Sequence, residues 1–142
     1  MALSWSESVE NIDWNELSDL YRRAPLGTKN PQDLETAFTN SRYTVFAWDS
    51  GKLVGAGRAV ADGVDCSCIC DVALLPEYQG RGLGRMLVLK LVEFSRGHSK
   101  ILLYAAPGKE AFYKKLGFSR MKTAMALFKD NDAARAKGLI ES

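Results

Sequence analysis

The sequence predicts a mixed α/β domain in which an antiparallel meander of strands precedes a parallel β-α-β unit, with helices on both faces of the sheet. Three observations predict this class. Three apolar segments are separated by short polar turns, a glycine-rich loop joins the third segment to an amphipathic helix, and another apolar run follows that helix. The chain of 142 residues suits one domain, 1–142, in which 130–142 form a charged tail.

Two helices are predicted before the strands. The first lies near Asp13 to Ala24. The second begins at Pro31 and continues for about ten residues, because Asn30 is a good N-cap and proline suits the first helical position.

The meander comprises three predicted strands. Strands at Tyr43–Trp48 and Lys52–Ala61 are joined at Asp49-Ser50-Gly51, and a turn near Asp62-Gly63 leads to the third strand at Cys66–Leu75. These segments are rich in apolar residues and are bounded by turn residues, which favours antiparallel pairing of neighbours.

The parallel unit follows the glycine-rich loop. Its helix carries an apolar stripe of Leu83, Leu87, Val88, Leu91 and Phe94. The next strand is predicted at Lys100–Ala106, and the crossover should be right-handed. A short helix at Lys109–Leu116 and a last strand at Ala124–Lys129 complete the prediction.

Composition and charge argue against several classes of protein. The net charge of +2 with interspersed acidic and basic residues is not the field of a nucleic-acid-binding protein. No stretch approaches the roughly 20 apolar residues that span a bilayer, and the N-terminus lacks the features of a secretion signal. We expect a soluble cytoplasmic protein, or an organellar one if a transit peptide is missing, acting as a monomer or homodimer without nucleic acid or membrane.

All three cysteines lie in the predicted third strand, at Cys66, Cys68 and Cys70. Alternate residues of a strand share one face, and an extended backbone keeps such neighbours too far apart for disulfides. A metal site would need a fourth ligand, for which His98 is the only histidine. We therefore expect reduced thiols packed as small apolar side chains and no metal.

The most informative segment is Asp71 to Arg85, in which an apolar strand enters the loop Gln-Gly-Arg-Gly-Leu-Gly and then a helix. Glycines let the backbone approach a ligand, and the free N–H groups of a helix N-terminus favour an anion. Arg81 and Arg85 lie where cations are disfavoured by the helix dipole, so a bound phosphate would reverse the sign of their contribution.

The loop fits neither of the two commonest glycine-loop motifs. No Lys-Ser or Lys-Thr follows the glycines as in a P-loop, and Arg85 or Leu87 stands where a dinucleotide-binding fingerprint needs glycine or alanine. The spacing of Gln79, Gly82 and Gly84 instead resembles the pyrophosphate-binding motif of the GNAT N-acetyltransferase superfamily.

A second segment, Lys109 to Phe118, resembles the closing helix of that family, which ends in Phe-Tyr-x-x-Leu-Gly-Phe. Gly117 suits the left-handed position after a helix that ends at Leu116. By the resemblance, Tyr113 is the acid that protonates the departing coenzyme A sulfur; the alternative is a tyrosine of the core.

The resemblance implies an acyl-CoA N-acyltransferase fold and acetyl transfer from acetyl-CoA to an amine. Backbone groups of Val72, Ala73 and Leu74 would face the acetyl and pantetheine arm. The residues that would bind the pyrophosphate are Gln79, Gly80, Arg81, Gly82, Leu83, Gly84 and Arg85. No metal is implied.

Asp71 is the best-positioned candidate for the base that deprotonates the amine, acting directly or through water. The alternatives are a carboxylate that only hydrogen-bonds a neighbouring strand and deprotonation by ordered water alone. The sequence also departs from the family, because Ala105-Ala106-Pro107 replaces an asparagine that many relatives carry before the closing helix. This departure removes one expected cofactor contact.

Within the family, the chain resembles the small single-domain subgroup of serotonin N-acetyltransferase-like enzymes through Gly57-Arg58-Ala59, Asp62-Gly63, Asp71-Val72 and Gly108-Lys109. A small primary amine is the acceptor that this implies. The residues expected to line its pocket, each with a core role as the alternative, are Tyr21, Leu26, Phe38 and Tyr43. Protein lysines are an alternative acceptor, and a non-catalytic acetyl-CoA sensor is an alternative of another class.

Overall fold

The structure is a computed structural model that describes residues 2–142. Its residues fall into two compact units, one ending at Leu103 and the other beginning at Tyr104. The first unit contains five strands, three α-helices and a short 3-10 helix at Pro76–Tyr78, and the second contains two short α-helices. The prediction of one domain over 1–142 stays a prediction.

The first unit is built on a five-stranded sheet in the order β1-β2-β3-β4-β5. The strands are β1 (Leu3–Ser6), β2 (Tyr43–Asp49), β3 (Lys52–Ala61), β4 (Cys66–Leu74) and β5 (Lys100–Leu102). The first four pair antiparallel and β4 pairs parallel with β5. The predicted class, a mixed sheet with an antiparallel meander and a parallel unit, is confirmed.

Helices pack on both faces of this sheet. The helices are α1 (Trp14–Arg23), α2 (Pro31–Thr39) and α3 (Leu83–Phe94). Asp13 and Asn30 cap α1 and α2 by accepting hydrogen bonds from backbone N–H groups of the first turn. On the α1–α2 face, Phe38 stacks on Phe46 with ring centroids 5.6 Å apart.

The opposite face receives α3 at closely packed glycines of β3. A Cβ atom added to Gly57 would lie 2.9 Å from Leu87 and 3.0 Å from Leu91, both fully buried residues of α3. Because Gly55 and Gly57 have no side chains, α3 packs closely against β3. This packing positions the N-terminus of α3 beside the end of β4.

The second unit contains α4 (Glu110–Lys115) and α5 (Asn131–Ala136). Gly117 follows α4 with φ of 99°, and the N–H of Phe118 donates to the carbonyl of Tyr113 at 3.1 Å, as expected for a glycine helix end. Asp130 caps α5 through a hydrogen bond from the N–H of Ala133. No helix among the described residues is long and apolar enough to cross a membrane.

Two sequence-based expectations about strands were wrong, and one strand was missed. β1 was not predicted, the fifth strand ends at Leu102 rather than Ala106, and Ala124–Lys129 is not a strand. Met125 and Leu127 are 94% and 92% exposed. An alternating apolar pattern forms a strand only when an edge pairs with it, and none of the described residues in 104–142 forms a strand.

Candidate active site

A bulge interrupts β4 at Asp71. Ala73 pairs with Ala56 and Cys70 with Arg58, so that Asp71 and Val72 together lie opposite the single residue Gly57. Asp71 adopts a φ of 55° inside the strand. An aspartate tolerates this left-handed conformation better than most residues. The bulge therefore redirects the chain at the point where the proposed acetyl-binding segment begins.

Side chains around the bulge fix Asp71 in place. Its carboxylate accepts a hydrogen bond from Arg58 Nε at 2.8 Å and lies 3.5 Å from Lys29 Nζ. The Tyr21 hydroxyl donates to the Asp71 carbonyl oxygen at 2.6 Å. Burial raises the pKa of Tyr21 well above its ordinary value, so the hydroxyl remains a donor at neutral pH.

Beyond the bulge, one edge of β4 lacks a strand partner. The pairing of β5 ends at Cys68, while β4 continues to Leu74, and the described sheet contains no ladder partner for 69–74 on that side. The N–H of Leu75 donates to Val54 of β3 at 2.9 Å. Because backbone groups of successive strand residues point to alternate edges, those of Leu74 face the open edge.

The glycine loop connects this open edge to α3. Gly80 and Gly82 have φ of 81° and 80°, and an added Cβ at either would meet no atom within 4 Å. The Gln79 side chain donates to the Leu74 carbonyl at 3.0 Å. Gly82 is the N-cap of α3 and has no side chain to accept from the first turn. The loop is therefore an open cradle of backbone N–H groups.

The charges around the loop suit an anion. The first turn of α3 contains no acidic residue. Arg85 is exposed there, and the Arg81 guanidinium lies 5.6 Å from the centroid of the Tyr78 ring. The nearby Glu77 carboxylate is paired with Arg23 at 2.7 Å. A diphosphate fits this set, because uncapped N–H groups and arginines both favour negative charge.

Comparison with known sequences decides the family. The family described as "Acetyltransferase (GNAT) family" matches residues 7–118, more than three quarters of the chain. The chain belongs to the GNAT family. The predicted resemblance is thus confirmed, and the loop at Gln79 to Arg85 lies inside the matched region.

Several relatives of this GNAT chain are named as N-acetyltransferases. It is 34% identical to serotonin N-acetyltransferase 2, chloroplastic, of Oryza sativa subsp. japonica over 79% of this chain and 59% of that protein. It is 42% identical to the N-acetyltransferase ycf52 of Pyropia yezoensis over 78% of this chain and 67% of that protein. The chain thus spans about three fifths to two thirds of these two proteins' lengths.

Solved structures share the fold of this GNAT chain. A probable acetyltransferase from Staphylococcus aureus superposes with a TM-score of 0.81 at 22% identity, covering 91% of this chain and all of that one. A complex of AAC(6')-Iy with a bisubstrate analogue superposes with a TM-score of 0.69 at 14% identity, covering 92% of this chain and 99% of that one. At these identities the likeness concerns the fold alone.

Tyr113 belongs to the second unit of the GNAT chain, on α4. Its ring contacts Phe112 and Phe118 edge-to-face, with centroids 5.0 Å and 5.9 Å away. Burial raises the pKa of Tyr113, so the phenol is protonated at neutral pH. A protonated phenol can act as an acid, and this role stays a prediction.

The four residues predicted to line the acceptor pocket do not form one cluster. Tyr21 and Phe38 are fully buried in the core on the α1–α2 face. Tyr43 stacks on Phe94 of α3 at 5.9 Å, on the opposite face of the sheet. Leu26 is exposed. Packing in the core accounts for the aromatic side chains of Tyr21 and Phe38. Contact of any of the four residues with an acceptor stays a prediction.

The sequence named Arg58 only as part of the subgroup resemblance, and it did not predict that Arg58 and Lys29 flank Asp71. A signal for Arg58 was present, since it interrupts the otherwise apolar segment Leu53–Ala61. A charge in a buried strand requires a counter-ion. Lys29 comes from the loop between α1 and α2, and its approach to Asp71 depends on tertiary structure alone.

The metal alternative finds no support in residues 2–142. All three cysteines are free, and no group of three or more described His, Cys, Asp or Glu residues could hold a metal ion. His98 is engaged elsewhere, because its Nε2 accepts from the N–H of Gly63 at 3.0 Å.

Proposed function

We propose that this chain transfers an acetyl group from acetyl-CoA to a primary amine of a small molecule, with both substrates bound together. The observation that carries the proposal is the direct continuation of the open β4 edge, through two left-handed glycines, into the uncapped N-terminus of α3. One rigid unit thereby offers donors for both the diphosphate and the thioester end of one coenzyme. Membership of the GNAT family supports the reaction class.

Each part of the cradle has a proposed role. The N–H groups at the start of α3, with Gly80, Gly82 and Gly84, bind the diphosphate, and Arg81 and Arg85 neutralise its charge. Gln79 closes the loop onto Leu74. The backbone of Val72 to Leu74 lies along the pantetheine arm, where an N–H can stabilise the thioester oxygen as it gains negative charge.

Two proton transfers complete the proposed reaction. An alkyl amine with a pKa of about 10.4 is mostly protonated at neutrality and must lose a proton before it attacks the thioester carbon. Asp71 is the proposed acceptor of that proton, directly or through water. When the carbon–sulfur bond breaks, Tyr113 donates its proton to the leaving sulfur, since its raised pKa keeps the phenol protonated.

The acceptor class rests on the relatives. The rice protein is named a serotonin N-acetyltransferase and shares 34% identity. A protein acceptor is the second candidate, because 69 residues of this chain are 39% identical to a protein of Glycine max named histone acetyltransferase TAP1. The longer match with the rice protein favours the small amine.

The deciding experiment measures thiol release from acetyl-CoA in the presence of aryl-alkyl amines, polyamines and lysine peptides. We expect aryl-alkyl amines to give the largest kcat/KM. Preference for lysine peptides would establish the second candidate. Tight binding of acetyl-CoA in calorimetry without thiol release for any acceptor would identify a sensor.

Location is proposed on the same basis. The rice protein and two Arabidopsis thaliana relatives are named as chloroplastic. We therefore propose an organellar location in preference to a cytoplasmic one. Immunolocalisation of the full-length protein tests this, and purely cytosolic staining would contradict it.

A further inference from the structure

The cysteines of β4 form a second chemical feature of the first unit. Cys66, Cys68 and Cys70 alternate with Ser67 and Ile69, which are buried. The Ser67 hydroxyl lies 2.8 Å from that of Ser95 at the end of α3. Because strand side chains alternate between faces, the three half-buried thiols lie on the other face of the sheet.

Two of these thiols are in contact. The Cys70 thiol donates toward the Cys68 sulfur, and the two Sγ atoms are 3.9 Å apart. Arg58 pairs with Cys70 across the β3–β4 ladder and brings a guanidinium to the same face. Cys66 is not part of this contact, although it occupies the same face of the same strand.

The contact and the nearby cation activate one sulfur. The hydrogen bond from Cys70 lowers the pKa of Cys68 to about 6, and the positive charge of Arg58 acts in the same direction against burial. The same hydrogen bond raises the pKa of Cys70, which keeps its proton. At neutral pH the pair thus carries one thiolate, the nucleophilic form of cysteine, and one thiol.

The geometry favours a ligand that bridges the two sulfurs. A disulfide would need the sulfurs to approach to about 2.05 Å, roughly half of the observed 3.9 Å. A single atom with bonds of about 2.3 Å, the length of a zinc–thiolate bond, can span 3.9 Å between two sulfurs. A tetrahedral metal needs more ligands than this pair supplies, and no larger cluster exists among the described residues.

We propose that Cys68 and Cys70 form a dithiol site that binds trivalent organic arsenicals of the type R–As=O. Two arsenic–sulfur bonds form and the arsenic–oxygen bond breaks. The oxygen leaves as water with the proton of Cys70 and one proton from solvent, because Cys68 enters the reaction as the thiolate. Arsenic stays trivalent, so no oxidant or reductant is required. Its organic substituent supplies the third bond, and two sulfurs complete its valence.

The site adjoins the proposed acetyl-transfer residues but is defined without them. Cys70 directly precedes Asp71, and Arg58 contacts Asp71 and pairs with Cys70. Mass spectrometry detects the arsenical adduct without any measurement of acetyl transfer. The dithiol site can therefore be confirmed or refuted independently of the proposed function.

The test uses phenylarsine oxide with the full chain and native mass spectrometry. We expect one arsenical per chain with loss of one water in the wild type and in Cys66→Ser. Cys68→Ser and Cys70→Ser should bind at least tenfold more weakly. 2,3-dimercaptopropanol should remove the adduct, whereas 2-mercaptoethanol should not. Equal loss in Cys66→Ser, or unchanged binding in Cys70→Ser, overturns the proposal.

A second measurement needs no variant and therefore does not depend on folding of the serine proteins. Alkylation by iodoacetamide is followed at each cysteine by peptide mass spectrometry, with and without phenylarsine oxide. Protection of Cys68 and Cys70 with continued labelling of Cys66 is expected. Protection of all three cysteines, or of none, contradicts a two-sulfur site.

Discussion

At the scale of single residues, Asp71 in the bulge of β4 has both an unusual backbone conformation and several side-chain contacts. Asp71 has a left-handed φ, two cations at its carboxylate and the Tyr21 hydroxyl at its carbonyl. These contacts make it a positioning residue of the strand whatever its role in proton transfer. Stability and catalysis are therefore measured separately for this residue.

Replacement of Asp71 by asparagine should destabilise the fold. Asparagine tolerates the left-handed conformation, but Arg58 and Lys29 lose their shared counter-charge. The side chains of Arg58 and Asp71 are only 17% and 22% exposed. We expect the free energy of unfolding in urea to fall by about 1–3 kcal/mol.

Asp65 provides the matched control for that variant. It pairs with Lys100 at 2.7 Å, and both side chains are about half exposed. Asp65→Asn should therefore cost less stability, since solvent screens exposed pairs. Equal losses of unfolding free energy in the two variants would show that the ion pairs of Asp71 stabilise the fold no more than an exposed pair does.

Removal of the Tyr113 hydroxyl tests the proposed acid. Tyr113→Phe keeps the ring contacts with Phe112 and Phe118. We expect kcat to fall at least tenfold with little change in acetyl-CoA affinity, because acid catalysis contributes about 10²-fold to 10⁴-fold. Tyr104→Phe, in the same unit and 71% exposed, should leave turnover unchanged. Full activity of Tyr113→Phe would remove Tyr113 from the mechanism.

At the scale of elements, two glycines determine the position of α3: Gly57 of β3, on which the helix packs, and Gly82, the N-cap of the helix. Gly57 lets Leu87 and Leu91 approach β3, and Gly82 starts the helix without a capping side chain. The two glycines act for different reasons, since one provides space for packing and the other provides a left-handed backbone. Together they set the N-terminus of α3 against the end of β4.

Gly82→Ala should weaken acetyl-CoA binding in addition to destabilising the fold. An added Cβ meets no protein atom within 4 Å, so it projects into the open cradle. The left-handed backbone adds a cost of about 1–2 kcal/mol for any residue with a Cβ. We expect the dissociation constant from calorimetric titration to rise at least tenfold.

Gly97→Ala separates ligand binding from backbone strain. Gly97 follows α3, has φ of 96° and likewise has no atom within 4 Å of an added Cβ. Its substitution should lower thermal stability to a similar extent and leave acetyl-CoA affinity unchanged. Equal affinities of the Gly82 and Gly97 variants would argue against the proposed diphosphate site.

At the scale of the whole molecule, folding stability should depend on pH through the turn between β3 and β4. Asp62 accepts hydrogen bonds from the N–H groups of Val64, Asp65 and Cys66, and these bonds lower its pKa. A lowered pKa means that the stabilisation is present above the unfolded-state pKa and is lost as pH falls through the folded-state value.

The variant Asp62→Ala should therefore have a lower Tm than the wild type at pH 7. The difference should shrink as both proteins are acidified toward pH 3, because below the ordinary aspartate pKa of about 3.9 the stabilisation by the ionised carboxylate is progressively lost. Thermal unfolding followed by circular dichroism at both pH values measures this. A difference that stays constant with pH would assign the effect to packing of the turn.

Local features of the sequence determined most of the first unit. The helix start at Asn30-Pro31, the turn glycines and the apolar stripe of α3 predicted their elements closely, because each depends on neighbours within a few residues. The glycine loop and the motif around Tyr113 were sufficient to indicate the family for the same reason.

Only the tertiary structure decided which segments pair and which charges meet. Leu3–Ser6 is a strand because it pairs with β2, whereas Ala124–Lys129 has a strand-like pattern but pairs with no strand. The bulge at Asp71, its contacts with Lys29 and Arg58, and the meeting of two cysteine sulfurs depend likewise on long-range packing. Spacing along a chain specifies local conformation, but partners distant in sequence become neighbours only when the fold closes.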